Sequence, residues 1–186
     1  MHFSTKMRKK LEQKIEIPEG VEVKVEGNVV EIKGSEGELK REFNFRELNV
    51  NVAGNEIIIG HEKATKREKK EMNTLAAHLK NMIKGVKEKF EYNLKICFSH
   101  FPMTVEIKPN EAIIKNFLGE KVPRKVSIPK GADVQIKSPY VTITALNKEI
   151  AGQAAANFEK ATRITGRDRR IFQDGIFITN KAGKEI

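Results

Sequence analysis

Hydrophobic and polar residues alternate with a period of two in four pairs of short segments, which is the pattern of half-buried β-strands. In the first half of the chain these pairs are VEVKV with VVEIK, and VNV with EIIIG. In the second half they are MTVEIK with EAIIK, and DVQIK with YVTIT. The segments between the partners are Gly27-Asn28, Gly54-Asn55, Pro109-Asn110 and Ser138-Pro139. Because Gly and Asn tolerate the positive φ of tight turns, the pattern predicts four β-hairpins.

A helical period follows each pair of hairpins. The apolar positions of the first helix are Met72, Leu75, Ala76, Leu79, Ile83, Val86 and Phe90. Those of the second helix are Ile150, Ala151, Ala154, Ala155, Phe158 and Ala161. Two further apolar segments, YNLKICF (92–98) and GIFIT (175–179), predict an extra strand that opens the second half and a strand that follows the second helix.

The two halves repeat one arrangement. A shift of 82 residues aligns the first hairpins and a shift of 84 aligns the second ones. A shift of 111 also matches IPEGVEVKV with IPKGADVQI, but it aligns a first hairpin with a second one and leaves the helices out of step. We therefore predict an α+β fold of two tandem copies, each an antiparallel β-sheet of two hairpins packed against one α-helix. Residues 1–88 form the first copy, with a basic N-terminal extension, and residues 89–186 form the second.

Charge is distributed unevenly between the copies. The chain of 186 residues has a formal net charge of +10. Residues 1–88 contain 18 Lys and Arg against 15 Asp and Glu, whereas residues 89–186 contain 17 against 10. The surplus of +7 against +3 predicts that the second copy is the main contact with a polyanion.

Few features point to secretion, membranes or catalysis. The single cysteine, Cys97, excludes an internal disulfide framework, and no apolar run is long enough to span a bilayer, so we expect a cytoplasmic protein. The histidines lack metal-ligand spacing, and the chain has no phosphate-binding loop, dinucleotide fingerprint or nucleophile elbow. We interpret Cys97 as a structural thiol. We therefore expect no enzyme activity, no metal, no cofactor and no small-molecule substrate.

Two other segments have simple explanations. Gly34-Ser35-Glu36-Gly37 fits the GxxG pattern of an RNA-clamping KH loop, but that loop needs flanking helices and strand-like segments flank it here. We predict a glycine-rich turn. The segment KATKREKKEMNTLAAHLKNMIKGVKEK mixes Lys with Glu, which is typical of a solvated helix face with ion pairs.

Arginine is concentrated in one segment of the second copy. Of nine arginines in the chain, four are Arg163, Arg167, Arg169 and Arg170. Thr165-Gly166 predicts the stop of the second helix, with Gly166 as its left-handed cap. Since the planar guanidinium binds phosphate oxygens in bidentate geometry, this segment is the candidate site for a fixed anionic surface such as folded RNA.

Alternatives to this site remain open in the sequence. Asp168 and Asp174 are near enough in sequence to pair with the arginines, which would make a self-satisfied ion-pair loop. A second basic stretch, GEKVPRK (119–125), lies between the hairpins of the second copy, where the first copy has GELKREF. The change adds a proline and more positive charge, which favours the second copy as the binding unit.

Four segments carry a family resemblance that spans nearly the whole chain. They are IPEGVEVKVEGNVVEIKG, HLKNMIKGVKEKFEYNLKICFSHFPM, LGEKVPRKVSIP and, the most specific, GQAAANFEKATRITGRDRRIFQDGIFI. With these segments the chain resembles the large-subunit ribosomal protein six family in its archaeal and eukaryotic form, which is called ribosomal protein nine in eukaryotes. The first ten residues lie outside the match.

The resemblance implies a duplicated antiparallel sheet with one helix per copy and a structural, non-catalytic role in translation as part of the ribosome in the cytoplasm. It implies binding to large-subunit rRNA of the 23S type near the base of the factor-binding stalk, beside other ribosomal proteins and mostly through the second copy. The rRNA contacts that it implies are Arg163, Thr165, Gly166, Arg167, Arg169 and Arg170, with Lys121 and Arg124. The alternative is a non-ribosomal interaction scaffold whose basic loop docks an acidic protein, and an RNA-modifying enzyme is a weaker one.

Overall fold

A computed structural model describes residues 9–44 and 48–186 of the chain. The first eight residues of the predicted basic N-terminal extension lie outside this part. Two units divide the chain, Met1–Glu88 and Lys89–Ile186. Each unit buries an apolar core of its own.

The described residues of the first unit form six strands and one helix. The elements are β1 (Lys9–Glu16), β2 (Glu22–Glu26), β3 (Val29–Lys33), β4 (Glu38–Glu42), β5 (Asn49–Ala53), β6 (Glu56–Ala64) and α1 (Lys66–Lys87). The strands make two antiparallel sheets, with the orders β2-β3-β4 and β1-β6-β5. One core joins both sheets to the helix.

The second unit repeats this plan and extends it. Its elements are β7 (Phe90–Cys97), β8 (Thr104–Lys108), β9 (Glu111–Lys115), β10 (Arg124–Ser127), β11 (Ala132–Lys137), β12 (Tyr140–Ala145), α2 (Lys148–Ala161), β13 (Gly175–Lys181) and β14 (Lys184–Glu185). A short 3-10 turn, Phe117–Gly119, precedes β10. The antiparallel sheets have the orders β10-β9-β8 and β11-β12-β7-β13-β14.

The predicted α+β class, the four hairpins and the two helices are confirmed. The structure adds that the two hairpins of each copy enter different sheets, each completed by further strands. β7 is not an extra strand of the second copy, because β1 pairs with β6 as β7 pairs with β12. Phe90, predicted on the first helix, opens β7 instead, since α1 ends at Lys87.

The start of α1 is fixed by a capping box. The Thr65 side chain accepts a hydrogen bond from the Arg67 N–H, and the Glu68 carboxylate accepts one from the Thr65 N–H at 2.7 Å. The Thr65 hydroxyl also donates to Glu68. The hydrogen bond from the Thr65 hydroxyl makes the largest contribution to lowering the pKa of the Glu68 carboxyl to about 2, and the backbone N–H groups of Glu68 and Thr65 lower it further. The helix therefore begins where its first N–H groups find side-chain acceptors.

The glycine-rich segment between β3 and β4 is a turn, as predicted, and it packs against the end of α1. The Gly34 N–H donates to the Gly37 carbonyl at 2.9 Å, and the Glu36 N–H donates to the Val86 carbonyl at 3.0 Å. A Cβ placed on Gly34 would lie 2.7 Å from the Val86 carbonyl oxygen. Glycine is needed at position 34 because the helix backbone occupies the space of a side chain.

We predict that Gly34→Ala destabilises the protein. The added methyl group meets the carbonyl group and the Cγ2 methyl of Val86, neither of which is the end of a flexible side chain, so the turn or the helix end must shift, at a cost of about 1–3 kcal/mol. Urea unfolding followed by circular dichroism measures the change. Gly60→Ala is the matched control, because a Cβ there lies 3.5 Å from its nearest neighbour, an ordinary contact. Equal stability of the two variants would contradict the prediction.

Candidate nucleic-acid interface

The arginine-rich loop, residues 162–174 between α2 and β13, begins earlier than the sequence predicts. α2 ends at Ala161 and Thr162 caps it, so the prediction that Thr165-Gly166 stops the helix is wrong. The Thr162 hydroxyl donates to the Phe158 carbonyl at 3.2 Å and accepts the Ile176 N–H at 2.9 Å. This hydroxyl ties the helix end to β13, and the cap lies four residues before Gly166. Gly166 has a φ of 71° within the loop that follows.

Arg124, the first residue of β10, forms hydrogen bonds with the end of α2. Its Nη1 donates to the Ala161 carbonyl at 2.8 Å and, at 3.4 Å, to the Arg163 carbonyl. Its Nε and Nη2 donate to the two carboxylate oxygens of Glu120 at 2.8 and 2.5 Å. The guanidinium carbon lies 4.2 Å from the centroid of the Phe117 ring. The last carbonyls of a helix have no partner within the helix, and Arg124 supplies one.

These contacts give Arg124 a role inside the fold. Its guanidinium joins the 119–125 stretch to the start of the arginine-rich loop, so the structure brings together the two basic segments that the sequence singled out. Four donor contacts of the guanidinium are made within the unit. Its contact with RNA stays a prediction, whereas its role in positioning the loop follows from these bonds.

Glu120 completes this arrangement electrostatically. The hydrogen bond from Arg124 lowers the pKa of the Glu120 carboxyl, and the charges of Arg124 and Arg167 lower it further. Glu120 therefore remains ionised and opposes the charge of Arg124, which leaves the positive charge of the site to the exposed residues around this pair.

The two aspartates of the loop bind backbone rather than arginine side chains. Asp168 accepts the Arg170 N–H at 2.9 Å through its side chain. Asp174, only 6% exposed, accepts the Ser99 N–H at 2.7 Å. Within residues 9–44 and 48–186, no salt bridge joins either carboxylate to an arginine. The alternative of a self-satisfied ion-pair loop is therefore wrong: Asp168 binds the backbone of the loop itself, and Asp174 binds the backbone just after β7.

The predicted contact residues other than Arg124 are exposed. They are Lys121, Arg163, Thr165, Gly166, Arg167, Arg169 and Arg170. The Arg167 guanidinium carbon lies 4.9 Å from the centroid of the Phe172 ring, which orients that side chain. The loop thus presents four arginines to solvent while its backbone is held by Asp168, Thr162 and Arg124. Such an array suits the phosphates of a fixed polyanion.

A groove of about 820 Å³ lies beside the loop. Its lining includes Arg163, Arg169, Phe98 and Phe177. Phe98 and Phe177 are 47% and 37% exposed, and the sequence reasoning missed both as site residues. The alternation in GIFIT places Phe177 on the face opposite the buried Ile176, which is the signal that would have found it.

Other kinds of site find no support in the part of the chain that the structure describes. No group of three or more His, Cys, Asp or Glu side chains there is placed to hold a metal ion. No described helix is both long enough and apolar enough to cross a membrane.

Comparisons with known proteins agree on one family. The family model for ribosomal protein L6 matches residues 17–89 and 101–175. A large ribosomal subunit protein uL6 from Methanobrevibacter smithii is 44% identical over 92% of this chain and 96% of its own length. Proteins of the same name from Methanococcus vannielii and Methanocella arvoryzae are 44% and 43% identical, over 95% and 91% of this chain and 97% of each relative.

We predict that Arg124→Lys destabilises the second unit by about 1–3 kcal/mol, since an ammonium cannot bind Glu120 in bidentate fashion and reach the helix carbonyls at once. Urea unfolding at pH 7 measures the loss, and Lys121→Ala, in the same connection but exposed, is the control. A loss equal to that of the control would contradict the role of Arg124.

The stability difference between the wild type and Arg124→Lys should depend on pH. The folded-state pKa of Glu120 lies below its ordinary value of 4.5, so its stabilising contribution is present above that value and is lost as the pH falls through the folded-state pKa. The stability difference between the wild type and Arg124→Lys should therefore narrow as the pH falls below 4.5. A difference that stays constant would show that Glu120 takes no part.

Proposed function

Because the chain belongs to the ribosomal protein L6 family, we propose that it is a structural component of the large ribosomal subunit that binds and orders large-subunit rRNA. In this role it is a part of the ribosome in the cytoplasm and not an enzyme. The family match extends over both copies of the duplicated fold, which supports a role for the whole chain rather than for one unit.

The main support for an rRNA-binding site is the exposure and hydrogen bonding of the charged side chains in the arginine-rich loop. Its four arginines are exposed, and its two aspartates are committed to backbone N–H groups. Arginines that form no salt bridge with another described residue, on a loop whose backbone is held by hydrogen bonds, favour a rigid, polyanionic partner. Folded RNA has this property, because its phosphates are held in a defined geometry.

The assignment of residues follows from these contacts. We assign phosphate contacts to Arg163, Arg167, Arg169 and Arg170. Thr165 and Gly166 lie in the loop between Arg163 and Arg167 and shape its backbone. The exposed Lys121 lies in the 119–125 stretch, which Arg124 joins to the loop. Arg124 serves mainly as a positioning residue within this surface.

The second copy, residues 89–186, is the main rRNA-binding unit in this proposal. It carries the larger positive surplus and the whole arginine loop. The family resemblance further suggests a place near the base of the factor-binding stalk, beside other large-subunit proteins. An acidic protein as the partner of the loop finds no support in the relatives, all named as large-subunit proteins.

We predict that each of Arg163→Ala, Arg167→Ala, Arg169→Ala and Arg170→Ala weakens binding to a large-subunit rRNA transcript and flattens its salt dependence. The slope of log affinity against log salt is about −0.9 per neutralised phosphate on duplex DNA and about −0.7 on single strands. Each substitution should therefore reduce the slope by a little under one unit. Filter binding at four salt concentrations measures it.

Controls separate phosphate contact from loss of fold. Arg→Lys at each position should keep much of the slope but lose affinity wherever the contact is bidentate. Lys108→Ala removes an exposed positive charge of the same unit at the end of β8, outside the arginine-rich loop, and should leave the slope nearly unchanged. Four unchanged slopes together with lowered melting temperatures would mean that the arginines serve stability and not rRNA binding.

A further inference from the structure

A row of alternating positive and aromatic side chains crosses the five-stranded sheet of the second unit. In the antiparallel register, Lys137 of β11 pairs with Tyr140 of β12, Tyr140 pairs with Lys95 of β7, and Lys95 pairs with Phe177 of β13. Residues directly opposite each other on adjacent strands project from the same face. The four side chains therefore form one continuous row, with a positive charge beside each ring.

This row lies on the face of the sheet turned away from the core. Burial alternates along the strands: Leu94, Ile96, Val141 and Ile176 are fully or nearly fully buried, whereas the residues of the row are exposed. Tyr140 is 50% exposed and Phe177 is 37% exposed. Two large rings open to solvent, in register on one sheet face, are not explained by the packing of the unit.

The charge of this face changes from positive through neutral to negative along the strands. Neither Lys95 nor Lys137 forms a salt bridge with another described residue. The next row consists of the neutral residues Gln135, Thr142 and Asn93. The acidic residues, Asp133 and Glu91, lie one row further away. Positive charge is thus concentrated at the end of the sheet that carries the two rings.

The same end of the sheet leads to the arginine loop. Phe177 belongs both to the row and to the lining of the groove beside the loop, which it shares with Arg163 and Arg169. Gly175 makes room for the Phe177 ring, because a Cβ at position 175 would lie 3.0 Å from its Cζ. The groove therefore connects the arginines of the loop with Phe177, the end of the row nearest to them.

The first unit provides an internal comparison. Its helix-flanked sheet β1-β6-β5 corresponds to β7-β12-β11, yet these three strands contain no Phe or Tyr. Glu12, Glu16 and Glu56 lie on strands of that sheet instead, and Glu16 and Glu56 face each other in the register. The scaffold does not require aromatic residues at this face, so their presence in the second unit calls for a ligand.

We propose that the row Lys137–Tyr140–Lys95–Phe177 is a platform on which unpaired bases of the rRNA stack, an inference that rests on the proposed rRNA-binding function. Each ring offers a flat apolar surface to one base, and the lysines beside it attract the flanking phosphates. The arginine loop holds the folded RNA by its backbone, and the platform receives nucleotides that are not paired. The occupant is single-stranded or looped RNA, not a duplex.

Affinity for rRNA tests the platform through the chemistry of the ring. Tyr140→Leu and Phe177→Leu keep an apolar side chain but remove the stacking surface, and each should weaken binding to a large-subunit rRNA transcript by about five-fold to more than 100-fold. Tyr140→Phe keeps the ring and should bind like the wild type. Thr144→Ala, on the same sheet face but in its acidic row, is the matched control and should also bind like the wild type.

Tyrosine emission gives a second readout that does not depend on a destabilising substitution. The chain has no Trp and two Tyr: Tyr140 on the platform and Tyr92, which is buried. In the Tyr92→Phe variant, stacking of a base should quench the emission of Tyr140 when single-stranded octauridylate is added. The Tyr140→Phe variant retains Tyr92 alone, should show no quenching, and corrects for absorption by the RNA.

The outcomes distinguish a failure of the platform from a failure of the proposed rRNA-binding function on which it rests. A wild-type chain that fails to bind the rRNA transcript contradicts the proposed function itself. If the wild type binds and both Leu variants bind equally well, or if octauridylate leaves the Tyr140 emission unchanged, the platform is overturned while the rRNA-binding function stands. Leu variants that bind rRNA normally but fail to enter assembled subunits would assign this face to a neighbouring protein, which also overturns the proposal.

Discussion

The guanidinium of Arg124 is the contact on which the arrangement of the interface depends. It binds a carboxylate on one side and the carbonyl oxygens of Ala161 and Arg163 on the other, while Phe117 covers its face. These contacts fix where α2 ends and where the exposed loop begins. Asp168 and Thr162 then hold the loop from its own side. Arg124 serves the fold, whereas the four arginines of the loop form no salt bridge with another described residue.

Duplication gives the two units a similar scaffold with different surfaces. Both units have a core shared by two sheets and one helix, and in the second unit the exposed arginines of the loop and the exposed row of the sheet lie outside that core. The first unit carries acidic residues and no ring on the corresponding strands. The second unit carries rings, lysines and the arginine loop. The proposed assignment of rRNA binding to the second copy rests on this difference between the two surfaces.

Much of the fold was predictable because its signals are local. Alternation, turn residues and the helical period identified the hairpins and both helices, and the repeat identified the duplication. The end of α2 was not predictable, since it is set by Arg124 and Ile176, which are distant in sequence. The uses of Asp168 and Asp174 were missed for a related reason: sequence proximity to arginine suggests ion pairs, whereas the backbone N–H groups lie closer. The row Lys137–Tyr140–Lys95–Phe177 depends on the register of four strands, which the sequence does not specify.

In the proposed function, the second unit binds rRNA through residues 161–178. Ultraviolet cross-linking of assembled large subunits, followed by mass spectrometry of the peptides that carry nucleotides, can locate this contact. We expect cross-linked peptides to concentrate in residues 161–178 and the adjoining strands of the second unit. Cross-links that fall mainly within residues 1–88, with none in residues 161–178, would contradict it.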